Sequence, residues 1–351
     1  MRKLVLLMTL LTALLLAGCG GESQNVQQPG NSPEPKKEPI VLKYASFAPA
    51  TTFPAKQMEK WKEEVEKRTN GQVKVDLFHG GALLNAQNMY DGVKDGVADI
   101  GLSATSYEPG RFPLLGISEL PSGYPNAAVA SKVFYDLLKE FPQKSFKDYK
   151  IITAFTTEPG YIMVKKSVTN LQDLKGRKIR ISGSLTPTLN ALGAAPLGMP
   201  MPEVPEALQT GVIEGLVTSR EVLMDMKLAE TLKHYTDYPL GVTNFVVAMN
   251  KDTWDSLPAD VQKVIEELGP EMAKWTGEYM DSHVKESLAW SQKEHGLQVA
   301  SLSQQEKDVW GSKVGTIQDK YVAELQAKGL PAEQYKKRLY ELVKQYSNEG
   351  K

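Results

Sequence analysis

The sequence predicts an α/β protein built of two similar lobes, and three observations carry that prediction. From Ile40 onward, strand-like and helix-like segments alternate, the pattern of a sheet with helices packed on it. A second alternating series starts near Lys150. The stretches "DGVADIG" (Asp95 to Gly101) and "TGVIEG" (Thr210 to Gly215) each follow a predicted helix and carry Gly-Val, an acidic residue and Gly ahead of a strand, a hint that the lobes are related. A chain of 351 residues is long for one core, so two domains fit its length. Two such lobes place a cleft between them, and parallel sheets bind ligands beyond the carboxyl ends of their strands.

The chain opens with a segment set apart from the fold. Arg2 and Lys3 precede an apolar run from Leu4 to Leu16 that is too short for a comfortable membrane span, and Leu16-Ala17-Gly18-Cys19 follows as a small-residue cleavage site. Residues 1–18 are therefore expected to be a signal peptide. The site ends in the only cysteine of the chain and resembles the lipobox of bacterial lipoproteins, in which the thiol after the cut carries a lipid. The alternative is a plain secretory signal with an incidental Cys19. With one cysteine, no intramolecular disulfide can form. The segment 19–39 is polar and rich in Pro, Gly, Ser and Gln, which reads as a tether rather than a fold. Lys and Arg number 41 against 42 Asp and Glu, so no basic surface for nucleic acid is implied.

The elements follow in order. "IVLKYASF" is strand-like; the helix after it sets Met58, Trp61 and Val65 at helical spacing and stops at Asn70-Gly71. "QVKVDLF" puts Val73, Val75 and Leu77 on one strand face, and "NAQNMYDGVKDGVADIGLS" reads as helix, Gly-containing turn and strand. In the second series "KIITAFTT" and "YIMVK" are strands, "TPTLNALGA" and "PEVPEALQTG" helices, and "VIEGLVTS" a strand. "REVLMDMKLAETLKHY" reads as one amphipathic helix with Val222, Met226 and Ala229 to one side, and "VTNFVVAMN" as a strand. From Pro258 to about His295 the sequence is helical, with a break or kink expected at Gly269-Pro270. Trp275, Tyr279, Val284 and Trp290 suit core packing more than a ligand box, and the tail from Ser303 to Tyr346 reads as further helices.

No catalytic chemistry stands out. His79, His234, His283 and His295 lie far apart and none shows the i, i+4 spacing of a helical zinc pair. There is no nucleophile elbow, phosphate loop or dinucleotide fingerprint, and charge runs such as "EKWKEEVEKR" read as wet helix faces. Neither an enzyme nor a cofactor is indicated.

One stretch raises a sharper question. In "DLKGRKIRISGS" (Asp173 to Ser184) strand alternation puts Ile179 and Ile181 on one face and Lys178, Arg180 and Ser182 on the other. Locally, Arg180 fits a solvated strand face, because arginine is almost never fully buried unless paired.

The order of motifs carries a resemblance. "TFPAKQMEKWKEEVEKRTNGQVKVDLFHGGAL", "DGVKDGVADIG", "DLKGRKIR", "ALGAAPLGMPMPEVPEALQTGVIEG" and "MNKDTWDSLPADVQKVIEE" follow a lipobox and a linker in this sequence. Together they resemble the substrate-binding protein of a tripartite ATP-independent periplasmic (TRAP) transporter, DctP type. The resemblance implies a two-lobed periplasmic-binding-protein fold of type II-like form, with hinge strands and a long helix spanning both lobes. It places lobe I at 40–156 and 244–284 and lobe II at 157–243 and 285–351. It also implies an extracytoplasmic receptor, lipid-anchored to a bacterial membrane through Cys19, that closes on a small organic acid and delivers it to the membrane permease subunits. In that family the Arg of the "K-I-R" strand salt-bridges the substrate carboxylate, and that position is Arg180. Phe53, Tyr107, Phe155, Tyr161 and Phe245, at or just beyond predicted strand ends, are then cleft walls, or alternatively core or surface residues. Thr218 and Asn244 are candidate hydrogen-bonders, Asn244 alternatively a turn cap. Two departures narrow the ligand. The family's "D-G-Q-E-N-P" reads "E-G-L-V-T-S" here, putting Thr218 where the family has Asn, and a second Arg found in several members falls near Pro159. The missing cation points to a monocarboxylate with an apolar or aromatic remainder. The same cleft would equally serve a sensory protein presenting its closed form to a receptor kinase.

Overall fold

The computed structural model describes residues 38–349; the expected signal peptide and lipidation site at Cys19 lie outside the described residues. Among these, the strands in chain order are β1 (Ile40–Ser46), β2 (Val73–Phe78), β3 (Ile100–Ala104), β4 (Tyr149–Thr156), β5 (Tyr161–Val164), β6 (Lys178–Ile181), β7 (Ala195–Gly198), β8 (Gly215–Thr218), β9 (His234–Thr236), β10 (Asn244–Asn250) and β11 (Gln298–Ala300). They form two sheets, one of order β2-β1-β3-β10-β4 and one of order β11-β9-β5-β8-β6-β7. In the first, β1 runs parallel to β2 and β3, while β10 returns antiparallel between β3 and β4. In the second, β6 is parallel to β7 and β8, and β5 is antiparallel to β8 and β9.

Local sequence explains the first lobe. The helix Phe53–Arg68 starts with Pro54, which costs it no hydrogen bond at that position, and buries Met58, Trp61 and Val65. It ends with Lys67 and Arg68 near its negative pole, and Asn70 and Gly71 then turn the chain through positive φ of 50° and 77°. Val73 and Val75 are fully buried on β2, and β3, in the middle of the sheet, is buried throughout. The second sheet has two covered faces. Ile162, Val164, Ile179, Ile181 and Val217 enter one core, with Trp310, and Met163 and Leu216 enter the other, with Leu208 and Leu232.

Three elements join the lobes. The segments around 157–160 and 240–243 run side by side: the Thr157 amide donates to Thr243 O at 3.1 Å, the Gly160 amide to Gly241 O at 2.8 Å, and the Leu240 amide to Gly160 O at 2.9 Å. The third element is the helix Ala259–His295, whose Met280 and Val284 enter the first-lobe core and whose Leu288 touches both cores.

Several expectations are corrected. The spanning helix is not broken at Gly269-Pro270: Thr153 Oγ1 donates to Gly269 O at 2.7 Å, and a Cβ at Gly269 would come within 2.9 Å of Ile152 O, so close packing on β4 holds it. "REVLMDMKLAETLKHY" is not one helix. A short helix Val222–Asp225 ends before Lys227 at φ 54°, and His234–Thr236 pairs as β9 with β5 and β11. The C-terminal tail, given to the second lobe in the sequence reading, divides. Trp310 and Val314 join a second-lobe core, but Tyr335, Leu339 and Leu342 of the helix Ala332–Glu349 bury their i, i+4, i+7 stripe in the first. Val284 is buried, whereas Trp275, Tyr279 and Trp290 are partly buried against the cores.

Candidate binding site

β6 carries Arg180 toward the lobe junction, while Ile179 and Ile181 fix the strand in its core. The reading of Arg180 as a solvated residue does not hold: it is 1% exposed, whereas Lys178 on the same strand face is open. Its Nε donates to Met199 O at 2.9 Å and its Nη2 to the Tyr107 hydroxyl at 3.1 Å. The Tyr107 oxygen also accepts from the Met201 amide at 3.2 Å, so one first-lobe hydroxyl touches two second-lobe donors. A guanidinium has five N–H donors, and no carboxylate of the described residues pairs with this one. A buried cation without a counter-charge is costly.

The cleft around it closes to a cavity of about 40 Å³, lined from both lobes and both crossover segments. Phe47, Phe53 and Phe245 form an aromatic wall: Phe53 and Phe245 meet edge to face at 5.5 Å, and Phe47 stacks over Phe245 at 6.3 Å. Met201, Val222 and Met226 face them, and Thr52, Thr157, Thr218 and Thr243 supply hydroxyls. A larger hollow of about 700 Å³ lies between the loop around Pro109 and the helix Ile317–Ala327. Its acid Glu108 is already bound to Arg111 at 2.5 Å, and among the described residues it holds no buried unpaired cation, unlike the smaller cleft.

The structure thus brings together Arg180, Phe53, Tyr107, Thr218 and Phe245. It does not bring the other three candidates to the cleft. Phe155 is fully buried behind Phe245, stacked on it at 5.3 Å because the two are direct cross-strand partners. Tyr161 lies under the Arg220 guanidinium, 3.8 Å from ring centre to Cζ. Asn244 neither lines the cleft nor caps a turn: its Nδ2 donates to Leu115 O and Ser118 Oγ, both at 3.0 Å, fastening the start of β10. Sequence reasoning missed Phe47 and Glu221. Phe47 follows the end of β1 and was open to the rule that selected Phe53; Glu221 was hidden as a charge in a predicted helix.

Among the described residues, the charges beside the cleft leave Arg180 as the one cation lining it. Arg220 is held bidentately by Glu158, Nε to Oε1 at 2.9 Å and Nη2 to Oε2 at 2.8 Å, with its own amide also on Oε1. Glu221 lines the cleft at 2% exposure, with Oε2 buried and without a partner, and burial pushes its carboxyl up to about 8. Among the described residues no group of three His, Cys, Asp or Glu side chains is placed to hold a metal ion.

Two α/β lobes, joined by paired crossover segments and one long helix and closed over a buried arginine, define a two-lobed solute-binding protein. Residues 44–325 match the family described as bacterial extracellular solute-binding protein, family 7 (DctP), and the chain belongs to that family of solute-binding receptors. It is 26% identical over 310 residues to the C4-dicarboxylate-binding periplasmic protein DctP of Rhodobacter capsulatus, covering 84% of this chain and 90% of that protein. It is 43% identical to a TRAP periplasmic solute binding protein from Desulfovibrio salexigens, solved as an open complex with the C-terminus of a symmetry mate in the ligand binding site; the match covers 88% of this chain and 97% of that one, with a TM-score of 0.79. A marine metagenome TRAP solute binding protein specific for aromatic acid ligands, solved with 3-hydroxybenzoate, is 31% identical, with 88% and 99% covered and a TM-score of 0.83. No described helix is long and apolar enough to cross a membrane.

Proposed function

We propose that this receptor closes on an organic monocarboxylate with an apolar or aromatic body, held by Arg180, and delivers it to the TRAP membrane permease. The observation that carries the reading is the buried Arg180 guanidinium, paired with no carboxylate of the described residues and sharing its cleft with an aromatic wall. Its planar fork matches a carboxylate bidentately, and a charged hydrogen bond in such a site contributes about 1.5–3 kcal/mol. The 31% identical neighbour that is specific for aromatic acids supports the apolar body. The relative named for C4-dicarboxylates does not extend to this cleft, because a second carboxylate needs a second cation and Arg220 is committed to Glu158. Ligand contacts to both lobes stabilise the closed form over the open one, which is what a permease would recognise.

Calorimetry with a panel of small carboxylates tests the site. Arg180→Ala is expected to weaken the best ligand by at least about tenfold, and Arg180→Lys to weaken it too, since a point charge does not reproduce the fork. Equal binding by Arg180→Ala and the wild type would remove the proposed anchor. We further propose that residues 1–18 are cleaved, that a lipid on Cys19 holds the protein at the extracytoplasmic face of a bacterial membrane, and that 19–39 is a tether. The mass of the mature protein from membranes tests this: a signal-free chain without added acyl mass would exclude the anchor.

A further inference from the structure

A second cleft residue is built to read the ligand. Glu221 sits between β8 and the short helix Val222–Asp225, lines the cleft with Arg180, and is 2% exposed. Among the described residues no hydrogen bond of good geometry reaches its Oε2, and the nearby Ser219 hydroxyl, which pulls the carboxyl down, is outweighed by burial. A buried carboxyl oxygen without a well-placed partner, in a cavity lined largely by apolar side chains and threonines, is expensive unless something else meets it.

The surrounding charges decide which form of Glu221 is present. On its own segment stand Asp225 and Arg220; Glu158 faces it from the first crossover segment, His283 from the spanning helix, and Arg180 across the cleft. Arg220 is consumed bidentately by Glu158, and His283 Nε2 lies 2.6 Å from Asp225 Oδ1. Arg180 donates to Met199 O and Tyr107. Glu221 therefore has acidic neighbours and no cation of its own, and burial adds to their repulsion in favouring the protonated carboxyl.

We propose that Glu221, as a neutral carboxylic acid, both donates to and accepts from a hydroxyl on the ligand body, so that the receptor prefers hydroxylated monocarboxylates and rejects dicarboxylates. The inference rests on Arg180 holding the carboxylate. A protonated carboxyl offers one donor and one acceptor, the complement of a hydroxyl, the smallest group that does both. A second carboxylate would find no free cation among the described residues lining the cleft, since Arg180 holds the first and Arg220 is bound by Glu158.

The test is calorimetry on two matched series: benzoate, its three monohydroxy derivatives and the phthalates, and butanoate, 3-hydroxybutanoate and succinate. At pH 6 at least one hydroxylated acid is expected to bind wild type about tenfold or more tighter than its parent. That advantage should shrink at pH 8.5, with dicarboxylates weakest throughout. Glu221→Leu should erase the hydroxyl advantage, bringing the hydroxylated acid to within about threefold of its parent in that variant. Glu221→Gln, which keeps a donor and an acceptor, should preserve the advantage at both pH values. His283 is common to both proteins, so the difference in pH response belongs to Glu221. A hydroxyl advantage that survives Glu221→Leu, no such advantage in either series, or tight dicarboxylate binding would overturn the proposal. Parent acids that bind wild type and Arg180→Ala equally would instead overturn the Arg180 reading, a separate result.

Discussion

Nε2 of His283 lies 2.6 Å from Oδ1 of Asp225, joining the spanning helix to the short helix Val222–Asp225 beside the cleft. Asp225 also accepts, through its backbone carbonyl, from Thr51 Oγ1 of the first lobe at 3.1 Å. One residue of the second lobe is thus held by two elements that run with the first.

The bond to Asp225 raises the imidazole above its ordinary value, against the opposing effect of burial. A group whose value is raised on folding contributes stability that is full below its unfolded value, near 6.5, and fades as pH climbs through the higher folded one. His283→Gln should therefore destabilise the protein more at pH 6 than at pH 8.5, by about 1–2 kcal/mol at the lower pH, and lower the melting temperature accordingly. Melting curves of the two proteins across that range check it. An unchanged gap between them would show that the pair carries no protonation-linked stability.

Glu119 gives a second pH-dependent contribution, at the hinge. Its Oε1 accepts from the Asn244 amide at 3.0 Å, its backbone carbonyl accepts from Val242 at 2.9 Å, and Oε2 is buried without a partner. A Cβ at Gly241 would fall 1.8 Å from that carbonyl, so the crossover segment can approach Glu119 only as glycine. Burial pushes the carboxyl up to about 7, although the nearby Ser184 hydroxyl and then the Asn244 amide pull the other way. An acid raised on folding favours the fold fully below its unfolded value and loses that contribution as pH rises through about 7. Glu119→Gln should be more stable than wild type at pH 8 by about 1–2 kcal/mol, and the two should converge near pH 5. Denaturant unfolding at both pH values decides; parallel pH profiles would exclude the hinge carboxyl as the cause.

How much of this was legible in the sequence depended on whether a signal was local. The helix Phe53–Arg68 and strands β1 to β6, β8 and β10 follow from periodicity and turn residues, because each buries one regular face or lies between neighbours. β7, β9 and β11 are short and stand on no such pattern: His234–Thr236 is a strand only because β5 and β11 flank it, a tertiary effect that overrode helical spacing. Arg180 shows the same limit in the site. Alternation gave its face but not its burial, since the covering groups, Tyr107 and Met199, come from distant segments. Phe155 and Tyr161 end up behind the cleft for a related reason: a strand-end position does not say whether Phe245 or Arg220 stands in front.

Tyr107 is where the closed form should be most sensitive to the loss of a single oxygen. Its hydroxyl accepts from Arg180 Nη2 at 3.1 Å and from the Met201 amide at 3.2 Å, while its ring packs edge to face on Phe47 at 5.2 Å. Tyr107→Phe keeps that ring contact, so the cleft wall stays, but two second-lobe donors lose a first-lobe acceptor. Leaving buried donors unsatisfied costs about 1–3 kcal/mol, and the cost falls on the closed form, since opening the cleft returns both groups to water. The variant should therefore bind the preferred acid about tenfold more weakly with little change in melting temperature without ligand. Faster release, read by stopped-flow fluorescence, should account for most of the loss, because the missing contact acts only after closure. If Tyr107→Phe binds as tightly as wild type, the hydroxyl is a bystander and closure rests on the ligand and Arg180 alone.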